Sequence, residues 1–210
     1  MTAQIGDIYK HNNAEYTFVA ASAPLSFAPK DYGLEPHMSS TGCYRGYWCE
    51  YEITDNGLSL EKLYLFNKDG NYPAFNGKSI EPAEYKEYQY IKNGKKLKDY
   101  FPKYFGHRLY SNVHLLIPYT GKLLLGKDFL QQYYIHMGYQ RPFAYETLME
   151  FVFEKGILLD TLDHSETARE LRKAINPEDP FWKFGISSIT QFVEDSFSLD
   201  YKTKAWWLSG

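Results

Sequence analysis

The chain has 210 residues and a net charge of −3, and 18% of its residues are aromatic. Its apolar and charged fractions, 44% and 23%, exclude a disordered or collagen-like chain. No apolar run reaches the ~18 residues that span a bilayer. The acidic balance also argues against a protein whose whole surface binds nucleic acid.

The N-terminal segment has neither a basic stretch nor an apolar stretch that would mark a signal peptide. We therefore expect a cytoplasmic protein. The chain has only two cysteines, Cys43 and Cys49, whereas small disulfide-stapled domains carry many more. We expect both thiols to be reduced and partly buried.

Turn signals and short apolar segments alternate along most of the chain and predict antiparallel β-structure. The turns contain residues that adopt positive φ readily, at Asn12-Asn13, Asp55-Asn56-Gly57, Asn93-Gly94 and Lys155-Gly156. The segments between the turns are rich in Tyr, Phe, Ile and Val, which suit strands. The predicted strands are residues 16–20, 48–53, 58–66, 113–117, 148–153 and 157–162.

Helix signals are confined to the C-terminal part of the chain. Residues 166–175 carry apolar side chains at helical spacing, and Asp163 or Ser165 can cap the free amides at the helix start. A second helix is predicted to begin at Ser187 or Ser188, where an apolar stripe follows.

Two parts of the chain share a series of short words in the same order, which indicates an internal duplication. The words are Lys-Asp-aromatic at 30–32 and 127–129, His-Met at 37–38 and 136–137, Gly-x-x-Arg at 42–45 and 138–141, and a turn glycine at 57 and 156. Convergent hairpin chemistry is the alternative interpretation. It explains the turn glycines but not the other paired words.

The repeat and the helix signals together predict an α+β protein. Two duplicated, mainly antiparallel β units would form a sandwich or a partly open barrel, with one or two C-terminal α-helices packed against it. The predicted parts of this single compact domain are a first unit at 1–83, an aromatic and basic connection at 84–105, a second unit at 106–163, and C-terminal helices and tail at 164–210.

Aromatic residues fall at matching places in the two copies, at Tyr32 and Phe129, Tyr47 and Phe143, and Tyr51 and Phe151. Phe and Tyr replace each other where ring volume matters more than the hydroxyl. We therefore expect these rings to belong to the core of the doubled β unit. The aromatics outside the repeat remain the smaller set that could serve function.

The repeated His and Arg residues are the candidate ligand-binding residues, namely His37 with Arg45 and His136 with Arg141. Two histidines and two arginines at one cleft would suit an anionic ligand, because Arg offers a bidentate fork and His can titrate. The structural alternative is that the arginines pair with Glu50 or Glu150 and that the repetition reflects descent alone.

Signatures of catalysis and cofactor binding are missing from the sequence. There is no Gly-x-Ser-x-Gly elbow, no catalytic-cysteine signature, no spacing typical of metal ligands, and no phosphate-binding or dinucleotide-binding glycine loop. We therefore predict no catalytic residues, no metal and no cofactor, and we favour a binding protein over an enzyme.

The leading functional hypothesis is a soluble, non-enzymatic binding or interaction protein of the bacterial accessory type, of which an immunity protein that neutralises a toxin is one form. Its partner would be another protein or a second copy of the chain. Trp and Tyr are frequent anchors at interfaces. The candidate interaction residues are Trp182, Trp206 and Trp207, with Trp48 added if it is exposed.

Two other hypotheses stay open. The first is a small enzyme or an anionic-ligand-binding domain that uses the repeated His and Arg residues. The second is nucleic-acid binding through the connection at 84–105, where lysines interleave with Tyr and Phe. A solvated hairpin whose lysines deter edge-to-edge strand pairing would give the same pattern.

Overall fold

The computed structural model describes residues 3–25, 27–136 and 139–174. Within them the chain forms eleven strands and one α-helix. The strands are β1 (Ile8–His11), β2 (Ala14–Ala21), β3 (Tyr47–Thr54), β4 (Gly57–Leu65), β5 (Tyr85–Lys92), β6 (Lys95–Pro102), β7 (Arg108–Tyr110), β8 (Leu115–Leu116), β9 (Gly121–Phe129), β10 (Tyr145–Glu154) and β11 (Ile157–Asp163). The helix is α1 (Ser165–Ala174). The second predicted helix and the tail lie outside the described residues.

Two-residue turns join four pairs of consecutive strands, as the sequence predicts. Asn12 and Asn13 both have positive φ, 49° and 62°, between β1 and β2. Asn93 and Gly94 form the corresponding turn between β5 and β6. Asparagine and glycine tolerate this left-handed conformation, and the twist of such turns matches the twist of the strands.

Nine of the described strands belong to one sheet, and the two others form a separate hairpin. The order in the large sheet is β11-β10-β9-β2-β1-β3-β4-β7, with β8 also paired to β4. Every pairing is antiparallel except that of β1 with β3, which is parallel. β5 and β6 pair only with each other. Strands before residue 83 and after residue 106 therefore share one sheet.

The large sheet is buried on both faces where the three consecutive leucines of β9 cross its centre. Leu123 and Leu125 belong to the main core, and Leu124 belongs to a second cluster on the opposite face. Alternation of side chains along a strand explains this division. Helix α1 covers the second face, where Ala168 is fully buried.

Of the two residues predicted to cap α1, Asp163 bonds to an amide at the helix start and Ser165 bonds to the sheet. The amide of Ser165 donates a hydrogen bond to the Asp163 carboxylate at 2.8 Å. Hydrogen bonding with the side chain of Ser165, and then with its amide, lowers the pKa of Asp163. The hydroxyl of Ser165 also accepts a hydrogen bond from the amide of Leu148 in β10, at 3.0 Å. The capping region therefore also ties the helix to the sheet.

The sheet curls without closing. The Ile117 amide donates to the carbonyl of Leu58 at 2.8 Å, and the Gly156 amide donates to the carbonyl of Tyr119 at 2.7 Å. Residues 117–119 thus connect the β3–β4 hairpin with the β10–β11 hairpin. Among the described strands, the two edges β11 and β7 do not pair, so this is not a closed barrel. The predicted α+β class, mainly antiparallel β with a C-terminal helix, is confirmed.

The two proposed copies agree in one part and differ in another. Both hairpins contain a β-bulge in their second strand, where the register skips Glu61 in β4 and Leu159 in β11. The Lys-Asp-aromatic words differ, because residues 30–32 lie in a 3₁₀ turn and residues 127–129 end strand β9. Duplication therefore remains a prediction.

The prediction that the matched aromatic rings lie in the core is correct for some of them and wrong for others. Tyr51 and Phe151 are both buried in the main core, as expected. Tyr32 and Phe129 are 41% and 36% exposed, so the expectation that they fill the core is wrong. Phe129 ends β9 beside a positive-φ residue, Asp128, where the strand leaves the sheet.

Candidate functional site

An ion pair joins the buried Asp7 to Arg45, which lies just before β3 and is partly exposed. The guanidinium donates to both carboxylate oxygens, with Nη2 2.5 Å from Oδ1 and Nη1 3.1 Å from Oδ2. Oδ1 also accepts a hydrogen bond from the amide of Cys49 at 2.7 Å. Burial alone would lower the pKa of Arg45, but the Asp7 charge outweighs it and the pKa is raised. The arginine is thus charged and neutralised in place.

The suggested pairing of Arg45 with Glu50 is wrong for a geometric reason. Side chains alternate between the two faces of β3, and Arg45 binds on the face of Cys49 and Tyr51. Glu50 lies on the other face, where the Tyr64 hydroxyl donates to it at 2.6 Å.

Lysines complete the surroundings of Glu50. The ammonium groups of Lys10 and Lys62 lie 3.0 Å and 3.1 Å from its carboxylate. Burial raises the pKa of Glu50, but the hydrogen bonds from Tyr64 and the two lysines outweigh it and lower the pKa. In the second hairpin, Glu150 is also buried and has Lys122 at 2.8 Å and His164 at 3.3 Å.

Aromatic rings lie around the Arg45–Asp7 pair and line a partly open cavity of about 140 Å³. The guanidinium carbon of Arg45 lies 4.7 Å from the centre of the Tyr47 ring, a cation–π contact. Tyr139 packs edge-on against Phe18 with ring centres 5.1 Å apart. Burial raises the pKa of Tyr47 to about 12, so its hydroxyl stays neutral at physiological pH.

Of the four predicted ligand-binding residues, only Arg45 lines this cavity among the residues that the structure describes. His37 lines a separate, more open cavity of about 460 Å³, and its Nε2 lies 3.8 Å from Asp69. The backbone of His37 packs against Gly46, the residue that follows Arg45. His37 and Arg45 are therefore close, but they line different cavities.

His136 and Arg141 lie in the proposed second copy, on either side of Tyr139, which lines the same cavity as Arg45. His136 is exposed and contacts the edge of Tyr134, with ring centres 4.9 Å apart. Arg141 is partly buried and precedes a 3₁₀ turn at residues 142–144. Tyr139, which sequence reasoning had not selected, is the residue of this segment that lines the cavity.

Of the four tryptophans considered as interface anchors, the structure describes only Trp48. Trp182, Trp206 and Trp207 lie outside the described residues. Trp48 is buried and stacks on Tyr64, with ring centres 4.7 Å apart. Trp48 therefore belongs to the core and is unavailable as a surface anchor.

The β5–β6 hairpin is the most exposed element that the structure describes. Fifteen of the sixteen strand residues are exposed, and Tyr90 is half-buried. The hairpin is held at its base, where the Lys103 amide donates to the carbonyl of Glu84 at 2.8 Å and Tyr104 packs on Tyr64 with ring centres 4.8 Å apart. The predicted connection is therefore an ordered hairpin that extends from the body.

One face of this hairpin carries a continuous apolar strip. The register pairs Tyr90 with Leu97 and Tyr88 with Asp99, and paired residues share a face. The Tyr88 ring lies 5.8 Å from the Phe101 ring and 6.0 Å from the Tyr90 ring. We call this strip the aromatic face, and its members are Tyr88, Tyr90, Leu97 and Phe101.

The opposite face of the hairpin mixes exposed apolar side chains, Tyr85, Ile91 and Tyr100, with polar side chains that bond to one another. Glu87 accepts hydrogen bonds from Lys98 at 3.1 Å, from the Tyr100 hydroxyl at 3.3 Å and from Gln89 at 2.8 Å. These bonds lower the pKa of Glu87, with the largest contribution from Gln89. The Tyr100 hydroxyl is thus bonded to Glu87, whereas Tyr88 packs against other rings, and these two exposed tyrosines form a matched pair for experiments.

Comparison with known proteins assigns no family, since no family model, curated protein or solved structure matches the chain. In the described part of the chain, no three His, Cys, Asp or Glu side chains are grouped as metal ligands would be. No helix described by the structure is both long enough and apolar enough to cross a bilayer. Both cysteines are free, and both are fully buried rather than partly buried as expected.

Proposed function

We propose that this chain is a non-enzymatic binding protein that contacts a partner protein through the aromatic face of its β5–β6 hairpin. The observation that carries the proposal is the exposure of this apolar strip. Tyr88 is 55% exposed and Phe101 is 54% exposed, although both are large enough to serve as core residues. Contiguous exposed apolar surface in a folded chain is typical of interaction sites.

The energetics of the hairpin support the same proposal. A two-stranded hairpin is at best marginally stable alone, and packing against a further element stabilises it. Burial of one large apolar side chain contributes roughly 1.5–3 kcal/mol. A partner that covers Tyr88, Tyr90 and Phe101 would therefore gain affinity and stabilise the hairpin at the same time.

The charge of the hairpin favours an acidic partner surface. Residues 85–102 contain five lysines and two acidic residues, whereas the whole chain has a net charge of −3. Lys86, Lys92 and Lys95 lie on the same side of the hairpin as the aromatic face. Complementary charge at the rim of an interface speeds association and selects partners.

The same combination of aromatics and lysines suits single-stranded nucleic acid, but the hairpin has carboxylates that oppose it. Asp99 lies directly across from Tyr88 within the aromatic face, and Lys98 is already paired with Glu87 at 3.1 Å. A phosphate backbone carries a negative charge at every nucleotide and would meet the Asp99 charge, whereas a protein surface can place its acidic groups opposite the lysines alone. A protein partner is therefore the better-supported proposal.

Affinity capture with two matched variants tests the proposal. Tyr88→Ser removes a ring from the aromatic face, and Tyr100→Ser removes a similarly exposed ring from the opposite face. We expect the wild type and Tyr100→Ser to capture a partner that Tyr88→Ser does not capture. The same partner, once purified, should bind the wild type directly. Neutralisation of a toxin is one form of this function, so the product of any adjacent toxin-like gene would be the first partner to test.

Two outcomes would contradict the proposal. One is a purified partner that binds the wild type and Tyr88→Ser equally. The other is binding of a single-stranded oligonucleotide that depends on Tyr88 and weakens steeply with salt, which would replace the protein partner by nucleic acid.

A further inference from the structure

The cavity beside Arg45 and Asp7 has the size and lining of a binding site for a small ring. Five aromatic rings line it, from Phe18, Phe27, Tyr47, Tyr51 and Tyr139. Its volume of about 140 Å³ is close to that of an engineered apolar cavity of about 150 Å³ that binds benzene. The lining residues come from distant parts of the chain, so the cavity exists only in the folded protein.

The charges at this cavity favour a neutral ligand. The fork of Arg45 is occupied by both carboxylate oxygens of Asp7, so the pair carries no net charge. An added carboxylate would have to displace Asp7 or be buried without a free cation, and either is costly. Burial also raises the pKa of Tyr139, which keeps that hydroxyl neutral.

A buried hydroxyl beside the cavity is unsatisfied. Tyr9 is fully buried, and its hydroxyl has no hydrogen-bond partner among the described residues. Its ring stacks on Tyr51 at 4.9 Å, and the hydroxyl lies within electrostatic range of Asp7 and Arg45. Tyr9 does not itself line the cavity, and the tyrosines that do so, and that can meet the polar group of a ligand, are Tyr47, Tyr51 and Tyr139.

From these three observations we infer that the cavity binds a neutral, ring-sized molecule with one hydroxyl or amide group, for which phenol is the simplest probe. The ring would pack among the aromatic side chains, and the polar group would bond to a tyrosine hydroxyl. This site is separate from the hairpin, so the inference does not depend on the proposed function.

Titration of the full-length protein with phenol, monitored by calorimetry and by amide NMR shifts, tests the inference. We expect saturable binding, with the largest shifts in residues 45–51 and at Tyr139. Leu25→Trp should abolish binding because Leu25 lines the cavity, whereas Leu116→Trp, at an exposed position of β8, should leave it unchanged. Benzoate should bind more weakly than phenol.

Three results would overturn the inference. They are the absence of saturable phenol binding, phenol shifts that lie outside the cavity residues, and benzoate binding at least as tightly as phenol. If Leu25→Trp does not fold, Tyr139→Phe replaces it. That variant should weaken phenol binding and leave toluene binding unchanged, and equal weakening of both or of neither would count against the site.

Discussion

The carbonyl of Gly156 accepts a hydrogen bond from the amide of Leu58 at 3.0 Å, so the turn glycine of one hairpin, Gly57, lies against the turn glycine of the other. These two glycines are also the ones that the sequence repeat matches. The curl of the large sheet brings them together, and backbone meets backbone without an intervening side chain.

We expect Gly57→Ala to destabilise the fold strongly. Gly57 has a φ of 123°, which L-residues rarely adopt, and an added methyl group would collide with the carbonyl of Gly156. Conformational strain and collision together should lower the free energy of unfolding by more than about 2 kcal/mol in urea denaturation. Gly70→Ala is the control, because Gly70 also has positive φ but has open space around it. An equal loss in both variants would contradict the packing role.

We expect Arg45→Met to leave the Asp7 carboxylate buried without its cation. Loss of one partner from a buried ion pair costs about 3–5 kcal/mol, measurable by urea denaturation. The double variant Asp7→Asn/Arg45→Met should recover part of this loss. Lys10→Met should cost less than about 1 kcal/mol, since Glu50 keeps Lys62 at 3.1 Å. A loss for Arg45→Met as small as that for Lys10→Met would show that the pair is solvated.

We expect stability to fall as the pH is lowered through the range of His107. This histidine is buried, its Nδ1 donates to the carbonyl of Tyr104 at 2.9 Å, and its Nε2 accepts from the Ser39 hydroxyl at 3.2 Å. Burial lowers its pKa below the ordinary value of 6.5, with a partial offset from the Tyr104 carbonyl.

The sign of the effect follows from proton uptake. The unfolded chain protonates this histidine at a higher pH than the folded chain does, so its contribution to stability is present above pH ~6.5 and declines below it. His107→Gln should flatten the loss of stability between pH 7 and 5. His136→Gln, at an exposed position, should keep the wild-type slope. A slope that His107→Gln leaves unchanged would contradict the assignment.

We expect the aromatic face to contribute little to the stability of the free protein. Tyr88→Ser and Phe101→Ser should each change the free energy of unfolding by less than about 0.5 kcal/mol, as is usual for surface positions. Trp48→Ala should cost about 3–5 kcal/mol because Trp48 is buried. A large loss for Tyr88→Ser would mean that the hairpin packs on the body of the protein.

Local signals in the sequence predicted the hairpins and the first helix well. Turn residues such as Asn93 and Gly94 impose their own backbone geometry, and the cap at Asp163 acts over two residues. The strand predicted at 113–117 contains only the two paired residues of β8, because His114 has a positive φ, while the amides of Val113 and Ile117 bond singly to carbonyls of β4.

The sequence patterns could not predict contacts between distant segments of the chain. Strand β9 was missed because its three leucines are buried on both faces and show no alternation. Asp7 and Arg45 are separated by 38 residues, and no spacing rule links them. Glu50 lies only five residues from Arg45 but on the opposite face of the strand, so proximity in sequence misled the pairing.

The exposure of the connection could not be read from composition, since rings fill cores and interfaces alike. Tyr88 and Tyr51 are the same residue type in similar strand contexts, yet one is exposed and the other is buried. Tyr88 is exposed because β5 and β6 are separate from the large sheet, whereas Tyr51 lies within that sheet.

The dissociation constant of a purified partner for the wild type, Tyr88→Ser and Tyr100→Ser tests the binding proposal most directly. Loss of an aromatic anchor at an interface commonly costs ~2 kcal/mol or more. We therefore predict binding more than about tenfold weaker for Tyr88→Ser, and a dissociation constant for Tyr100→Ser close to that of the wild type. Equal dissociation constants for the two variants would contradict the assignment of the aromatic face as the binding surface.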